Sequence, residues 1–179
     1  MVYIHLAEGF EEIEAITIAD ILLRGDVDAR LISITQDKTV TGAHGIKVIA
    51  DQLITESDYI GCEAIVLPGG MPGTLNLADS ELLISYIQEF NESGRLLAAI
   101  CAAPMVFAEA GILKGKRATI FPGMEAHLID SDYVDEKVVI DGNIITSKGP
   151  GTAMSFALEI LRVLKGTETY EAVKNSLAL

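Results

Sequence analysis

The run Leu96-Leu97-Ala98-Ala99-Ile100 has no polar side chain, and Cys101-Ala102-Ala103-Pro104 follows it with no room for a loop. A strand that is apolar on both faces cannot lie at a surface and needs cover on each side. Residues 2–6 and 63–67 are nearly as apolar, and residues 29–35 and 117–120 also read as strands. Between them lie stretches with helical period: 11–24, ending near Gly25; 80–91, capped by Ser80; 102–110, stopping at Gly111; 151–164; and 168–176. Two hairpins punctuate the pattern. One joins 38–41 to 46–50 around Gly42-Ala43-His44-Gly45 at a sheet edge, and the other joins 137–140 to 143–146 around Asp141-Gly142.

Strands alternating with helices predict an α/β chain. The expected fold is a flavodoxin-like three-layer sandwich over residues 1–179, a mostly parallel sheet with helices on both faces. No linker, repeat or low-complexity stretch divides the chain. Ligands of such sheets sit beyond the carboxyl ends of the strands. Here that means the loops after Leu6, Leu67, Ile100, Ile120 and Thr146.

Charge narrows the partners. With 26 acidic and 13 basic side chains the net charge is −13, which argues against a nucleic-acid backbone or an anionic membrane. No stretch reaches the ~18 apolar residues of a spanning helix, and residues 1–10 lack the basic and long apolar regions of a signal peptide. Two cysteines, Cys62 and Cys101, make no disulfide framework and suit a reducing cytoplasm. No His/Cys/Asp cluster has metal-ligand spacing, and no cofactor is expected.

A strand that becomes a helix within one residue makes a sharp turn, so Cys101 has the setting of a nucleophile elbow. Ala102 and Ala103 are small enough for such a turn, and Pro104 is tolerated in a first helical turn. The positive end of the helix is expected to lower the thiol from its ordinary value of about 8.5. The competing reading is a small buried hydrophobe, the usual fate of a free cysteine; for Cys62, beside Gly61, that reading is preferred. Gly69-Gly70 ends another strand, where two glycines let backbone amides approach a ligand closely. With the amide of Ala102, that loop has the makings of an oxyanion hole.

Glu11, Glu12 and Glu14 open the first helix. At about 100° per residue, Glu14 falls between Ile18 and Ile21 on the apolar face. A carboxyl group held there keeps its proton to higher pH and can donate a hydrogen bond. Periodicity alone leaves Glu11 and Glu12 as alternatives for the inward position.

The segments Ala7-Glu8-Gly9-Phe10-Glu11-Glu12-Ile13-Glu14, Val66-Leu67-Pro68-Gly69-Gly70, Ala99-Ile100-Cys101-Ala102-Ala103-Pro104 and Thr146-Ser147-Lys148-Gly149-Pro150-Gly151-Thr152 together resemble the ThiJ/PfpI family. The likeness is to the branch that includes the parkinsonism-associated protein deglycase. It covers essentially the whole chain, with the four motifs in the family's order. The resemblance implies a homodimer with its cysteine at Cys101 and a protonated glutamate at Glu14. It also places oxyanion donors at Gly70 and Ala102, and pocket positions at Gly69, Gly149, Pro150 and Phe121. It implies a deglycase or glyoxalase-type hydrolase acting on methylglyoxal or glyoxal and their protein adducts. The alternatives are a redox sensor or chaperone working through a Cys101 sulfinate, and a cysteine peptidase or amidase.

One departure stands out. Many members carry a histidine before a proline where this chain has Phe121-Pro122. The thiol therefore lacks the family's usual base, which argues against peptidase chemistry, although a bacterial sub-branch shares the phenylalanine. His127 is read as a surface residue, His5 as a satisfied buried histidine, and His44 as a weak candidate for the site.

Overall fold

The computed structural model describes residues 1–179. In chain order the elements are β1 (Val2–Leu6), α1 (Glu12–Arg24), β2 (Ala29–Ser33), β3 (Thr39–Thr41), β4 (Lys47–Ile49) and β5 (Gln52–Leu53). Next come β6 (Ala64–Leu67), α2 (Gly73–Ala78), α3 (Glu81–Glu92), β7 (Leu96–Ile100) and α4 (Pro104–Glu109). The chain continues through β8 (Arg117–Ala118), β9 (Asp132–Tyr133), β10 (Val138–Asp141), β11 (Ile144–Ser147), α5 (Ala153–Lys165) and α6 (Thr167–Ser176). A seven-stranded sheet runs β10-β11-β7-β6-β1-β2-β5. Every pairing in it is parallel except β10 with β11.

Side-chain alternation along the central strands divides the core in two. Val2, Ile4, Leu6, Ala64, Val66, Leu96, Ala98 and Ile100 pack with α1, α5 and Val173 of α6. Tyr3, Ile65, Leu67, Leu97 and Ala99 pack on the opposite face with Leu77 of α2, Leu83, Ile87 and Phe90 of α3, and Val106 and Phe107 of α4. Strands buried on both faces need no polar alternation, which is the condition read from 96–100. Helix α3 opens as its sequence predicts, with the Ser80 side chain accepting from the Leu83 amide.

Four local expectations are corrected. The 38–41/46–50 hairpin forms, but as a separate two-stranded ribbon of β3 and β4; the sheet edge is taken by β5. Strand β8 is shortened to two residues and pairs with β9 outside the main sheet. Helix α1 begins at Glu12, because Glu11 is extended and caps it by accepting from the Glu14 amide. Helix α4 begins at Pro104 rather than at Ala102, because Cys101 is left-handed at φ 64° and spends residues 101–103 on a turn. Helix α2 was not anticipated; it is six residues long and contains Gly73, a poor helix former.

Candidate active site

The loops after β1, β6 and β7 meet at the carboxyl end of the sheet. The Glu11 amide donates to the Gly69 carbonyl at 2.9 Å, and the Gly73 amide donates to the Gly9 carbonyl at 3.1 Å. This contact is too close for side chains. A Cβ on Gly70, which sits at φ +94°, would lie 2.5 Å from both the Glu11 nitrogen and the Gly9 oxygen. A Cβ on Gly69 would lie 2.6 Å from the Cys101 Cβ. The two glycines therefore let the β6 loop lie directly against both the first helix and the cysteine turn.

Cys101 is held on both sides by backbone. Its amide donates to the Ser147 carbonyl at 2.9 Å, and its carbonyl accepts from the Phe121 amide at 2.8 Å. A non-glycine residue at φ 64° costs on the order of 1–3 kcal/mol and persists only where its surroundings enforce it. Those two bonds, together with the Ala103 amide donating to Ile100 at 3.0 Å, supply the enforcement. The elbow read from the sequence is present.

Glu14 is fully buried, and one carboxyl oxygen accepts from the Gly69 amide at 2.7 Å. The carboxyl lies close enough to the Cys101 thiol to raise its pKa. Its other oxygen, Oε1, is buried with no hydrogen-bond partner. Burial is the main cause that pushes Glu14 up to about 7, and the nearby Glu11 adds to the rise. Of the three glutamates left open by periodicity, Glu14 is the one at the thiol. Glu11 is spent on the helix cap and Glu12 binds His44, at 2.7 Å to Nδ1.

The thiol itself departs from expectation. A helix N-terminus was expected to lower its pKa. Instead burial, with the Glu14 charge adding to it, pushes Cys101 up to about 12. The helix behind it starts three residues later and is only six residues long, so its dipole is weak at Sγ. The amides of Ala102 and Gly70 do oppose the rise by hydrogen bonding the sulfur. With Glu14 ionised, the thiol keeps its proton. The charge beside it is the Glu14 carboxylate.

A cavity of about 230 Å³ opens over the sulfur, lined by Gly70, Met71, Cys101, Ala102, Phe121 and Met124. Phe121 is thus in the site. Gly69 lies behind the cysteine, not on the cavity wall. Gly149 and Pro150 line an adjoining hollow, also bordered by Phe121, and a Cβ on Gly149 would lie 3.2 Å from that ring. Met71 and Met124 were not singled out from sequence. Met71 directly follows the Gly-Gly pair, whereas Met124 sits in an irregular loop that leaves no periodic signal.

The remaining expectations resolve simply. His127 is exposed in a short 3₁₀ turn. Cys62 is buried, with Sγ 3.2 Å from the Ala64 carbonyl. His5 is only half satisfied: Nε2 pairs with the Tyr59 hydroxyl at 2.7 Å, while Nδ1 has no partner. Glu11, Glu12 and His44 come within 4.8 Å of one another, a grouping that sequence spacing did not reveal. Their oxygens already accept from the Glu14, His44 and Ile46 amides and pair with the His44 ring.

Residues 1–163 match the model of the DJ-1/PfpI family. The Protein DJ-1 homolog B of Arabidopsis thaliana is 39% identical over 168 residues, 93% of this chain but 38% of that longer protein. A Caenorhabditis elegans protein named glutathione-independent glyoxalase DJR-1.2 is 34% identical over 174 residues, covering 96% of this chain and 92% of the relative. The crystal structure of Drosophila melanogaster DJ-1beta superposes with a TM-score of 0.96 at 36% identity, over 99% of this chain and 97% of that one.

Proposed function

Because this chain belongs to the DJ-1/PfpI family, we propose that it is a glutathione-independent glyoxalase-type enzyme whose nucleophile is Cys101, acting on small 2-oxoaldehydes such as methylglyoxal. The observation that carries this reading is the placement of a buried carboxyl, Glu14, held by the Gly69 amide directly behind Cys101, with the Gly70 and Ala102 backbone sharing the cavity over the sulfur. A relative bearing the glyoxalase name supports it.

The chemistry follows from that arrangement. Glu14, ionised above about 7, takes the thiol proton as Sγ attacks the aldehyde carbon. The new S–C bond shifts the carbonyl electrons onto oxygen, and the Gly70 and Ala102 amides hold that oxyanion. Glu14 returns its proton to the oxygen, giving a hemithioacetal. It then removes the hydrogen from the same carbon to give an enediolate, the hydroxyl proton passes to the former ketone oxygen, and Glu14 delivers its proton to the neighbouring carbon. The aldehyde carbon is thereby oxidised to a thioester and the ketone carbon reduced to an alcohol, with no external oxidant. Water cleaves the thioester and releases a 2-hydroxy acid and the thiol. No step needs a histidine, which accommodates Phe121.

Lactate formation from methylglyoxal is the test. Wild type is expected to form it and Cys101→Ser to lose it by at least ~100-fold; equal rates in the two proteins refute the reading. Action on glycated proteins, in a homodimer in the cytoplasm, is proposed as an extension of the same chemistry. A second reading, oxidation sensing, is favoured by Phe121 standing where a base would be. Gly70, Ala102 and protonated Glu14 would then hold the oxygens of a Cys101 sulfinate. Mild peroxide followed by intact-mass measurement decides it: failure of Cys101 to gain two oxygens before other residues oxidise ends the sensor reading.

A further inference from the structure

The wall of the Cys101 cavity points to which oxoaldehydes fit. Its side chains are Met71, Phe121, Met124, Ala102 and the thiol itself, with no charged group among them. Glu14 contributes no surface there, being fully buried. The three large side chains are held by the same backbone that holds the sulfur. Met71 follows Gly70, and both line the cavity beside Cys101. Phe121 donates its amide to the Cys101 carbonyl at 2.8 Å, and the Met124 amide donates to the Phe121 carbonyl at 3.0 Å. The Phe121 ring is also packed against Gly149, where a Cβ would lie 3.2 Å away. In the free protein Met71 and Phe121 are 46% and 41% exposed, so two large apolar groups beside the reacting atom remain uncovered.

We propose that this wall is a subsite for an apolar substituent, so that the enzyme selects 2-oxoaldehydes bearing an alkyl or aryl group over glyoxal and over charged analogues. This rests on the glyoxalase reading. The volume of about 230 Å³ equals roughly eight waters at ~30 Å³ each, more than a methyl or hydrogen substituent fills. A substituent that covers Met71, Phe121 and Met124 expels that water. A charged substituent loses hydration against this wall and finds no charged partner on it, Lys148 lying in the adjoining hollow beyond Phe121. Only contacts kept in the transition state raise kcat/KM, and these flank the sulfur that bonds to substrate.

The experiment measures kcat/KM for phenylglyoxal and for methylglyoxal in wild type, Met71→Asn, Met124→Gln and Met71→Leu. The ratio of the two substrates is compared between proteins, which cancels their intrinsic reactivities. Wild type is expected to exceed Met71→Asn and Met124→Gln in this ratio by about tenfold, the scale set by a few apolar contacts, while Met71→Leu keeps the wild-type ratio. An unchanged ratio in the polar variants overturns the proposal even though the enzyme turns over. Should no oxoaldehyde turn over, the glyoxalase reading fails, and labelling of Cys101 decides the subsite alone. N-phenylmaleimide is expected to label the Cys101 peptide faster, relative to N-carboxymethylmaleimide, in wild type than in Met71→Asn. Identical relative rates in the two proteins refute it.

Discussion

Replacing Glu14 by glutamine tests the buried proton directly. The native protein holds that proton up to about 7. An unfolded chain releases it at the ordinary value of 4.5. Between the two values the native state binds more protons, so stability falls as pH rises through this window. Each pH unit of separation is worth about 1.4 kcal/mol, and the full span comes to about 3 kcal/mol. Glu14 has no exposed surface over which solvent would screen this cost. Glutamine stays neutral and can still accept from the Gly69 amide, so the variant does not carry the penalty. Urea unfolding from pH 4 to pH 8.5 is the assay. Wild type is expected to lose about 3 kcal/mol relative to Glu14→Gln across that range, equivalent to about 6–12 °C in Tm for a chain of this size. The same comparison in a Cys101→Ser background assigns the proton to the carboxyl. A difference that stays flat within ~0.5 kcal/mol refutes the reasoning, since a carboxyl that titrates alike in both states contributes no slope. So does a slope that vanishes when the thiol is removed.

Two further substitutions probe the scaffold. Gly69→Ala places a Cβ 2.6 Å from the Cys101 Cβ and 3.0 Å from the Ala102 nitrogen, where only backbone can yield. Unfolding is expected to cost about 1–3 kcal/mol less, with lactate formation down on the order of 100-fold for a displacement near 1 Å; wild-type Tm and rate would refute this. Tyr59→Phe removes the partner of His5 Nε2 inside a buried pair, and a loss of about 1–3 kcal/mol is expected in urea unfolding. Adding His5→Leu should recover part of it, because removing both partners leaves no orphan. Strict additivity of the two changes refutes the coupling.

Sequence pattern carried the fold wherever burial was total. The run 96–100 announced a central strand because every side chain is apolar. The 3.6-residue period puts Glu14 on the apolar face but leaves Glu11 and Glu12 open, and all three are buried; the helix cap, His44 and the Gly69 amide sort them. Pattern failed where tertiary contact decides. Thr39–Thr41 and Lys47–Ile49 pair with each other whether or not they join the sheet, so their sequence cannot say which. Residues 117–120 show the same limit, since β8 finds its partner in β9 across a long loop. The start of α4 was misplaced by the left-handed φ of Cys101, a conformation alanine neighbours permit but do not encode. Met124 entered the site through a loop whose course depends on the hydrogen bond its amide donates to the Phe121 carbonyl.

The thiol pKa shows why the error at α4 matters chemically. Had a long helix begun at Ala102, its dipole would have favoured a resting thiolate. The turn instead buries the sulfur and leaves it two amides and a carboxylate. A thiol pushed up to about 12 is scarcely ionised at rest, but its thiolate, once formed, is a strong nucleophile, because nucleophilicity rises with pKa. In the proposed reaction such a site gains from making the thiolate only as substrate arrives. Glu14, near 7, is matched to that task, since it takes a proton and gives it back at neutral pH. In the proposed reaction the amides of Gly70 and Ala102 would have a larger charge to hold on the substrate oxygen than on the protonated resting sulfur. Their stabilisation would then be greater in the transition state than in the ground state, which is the condition for accelerating the step.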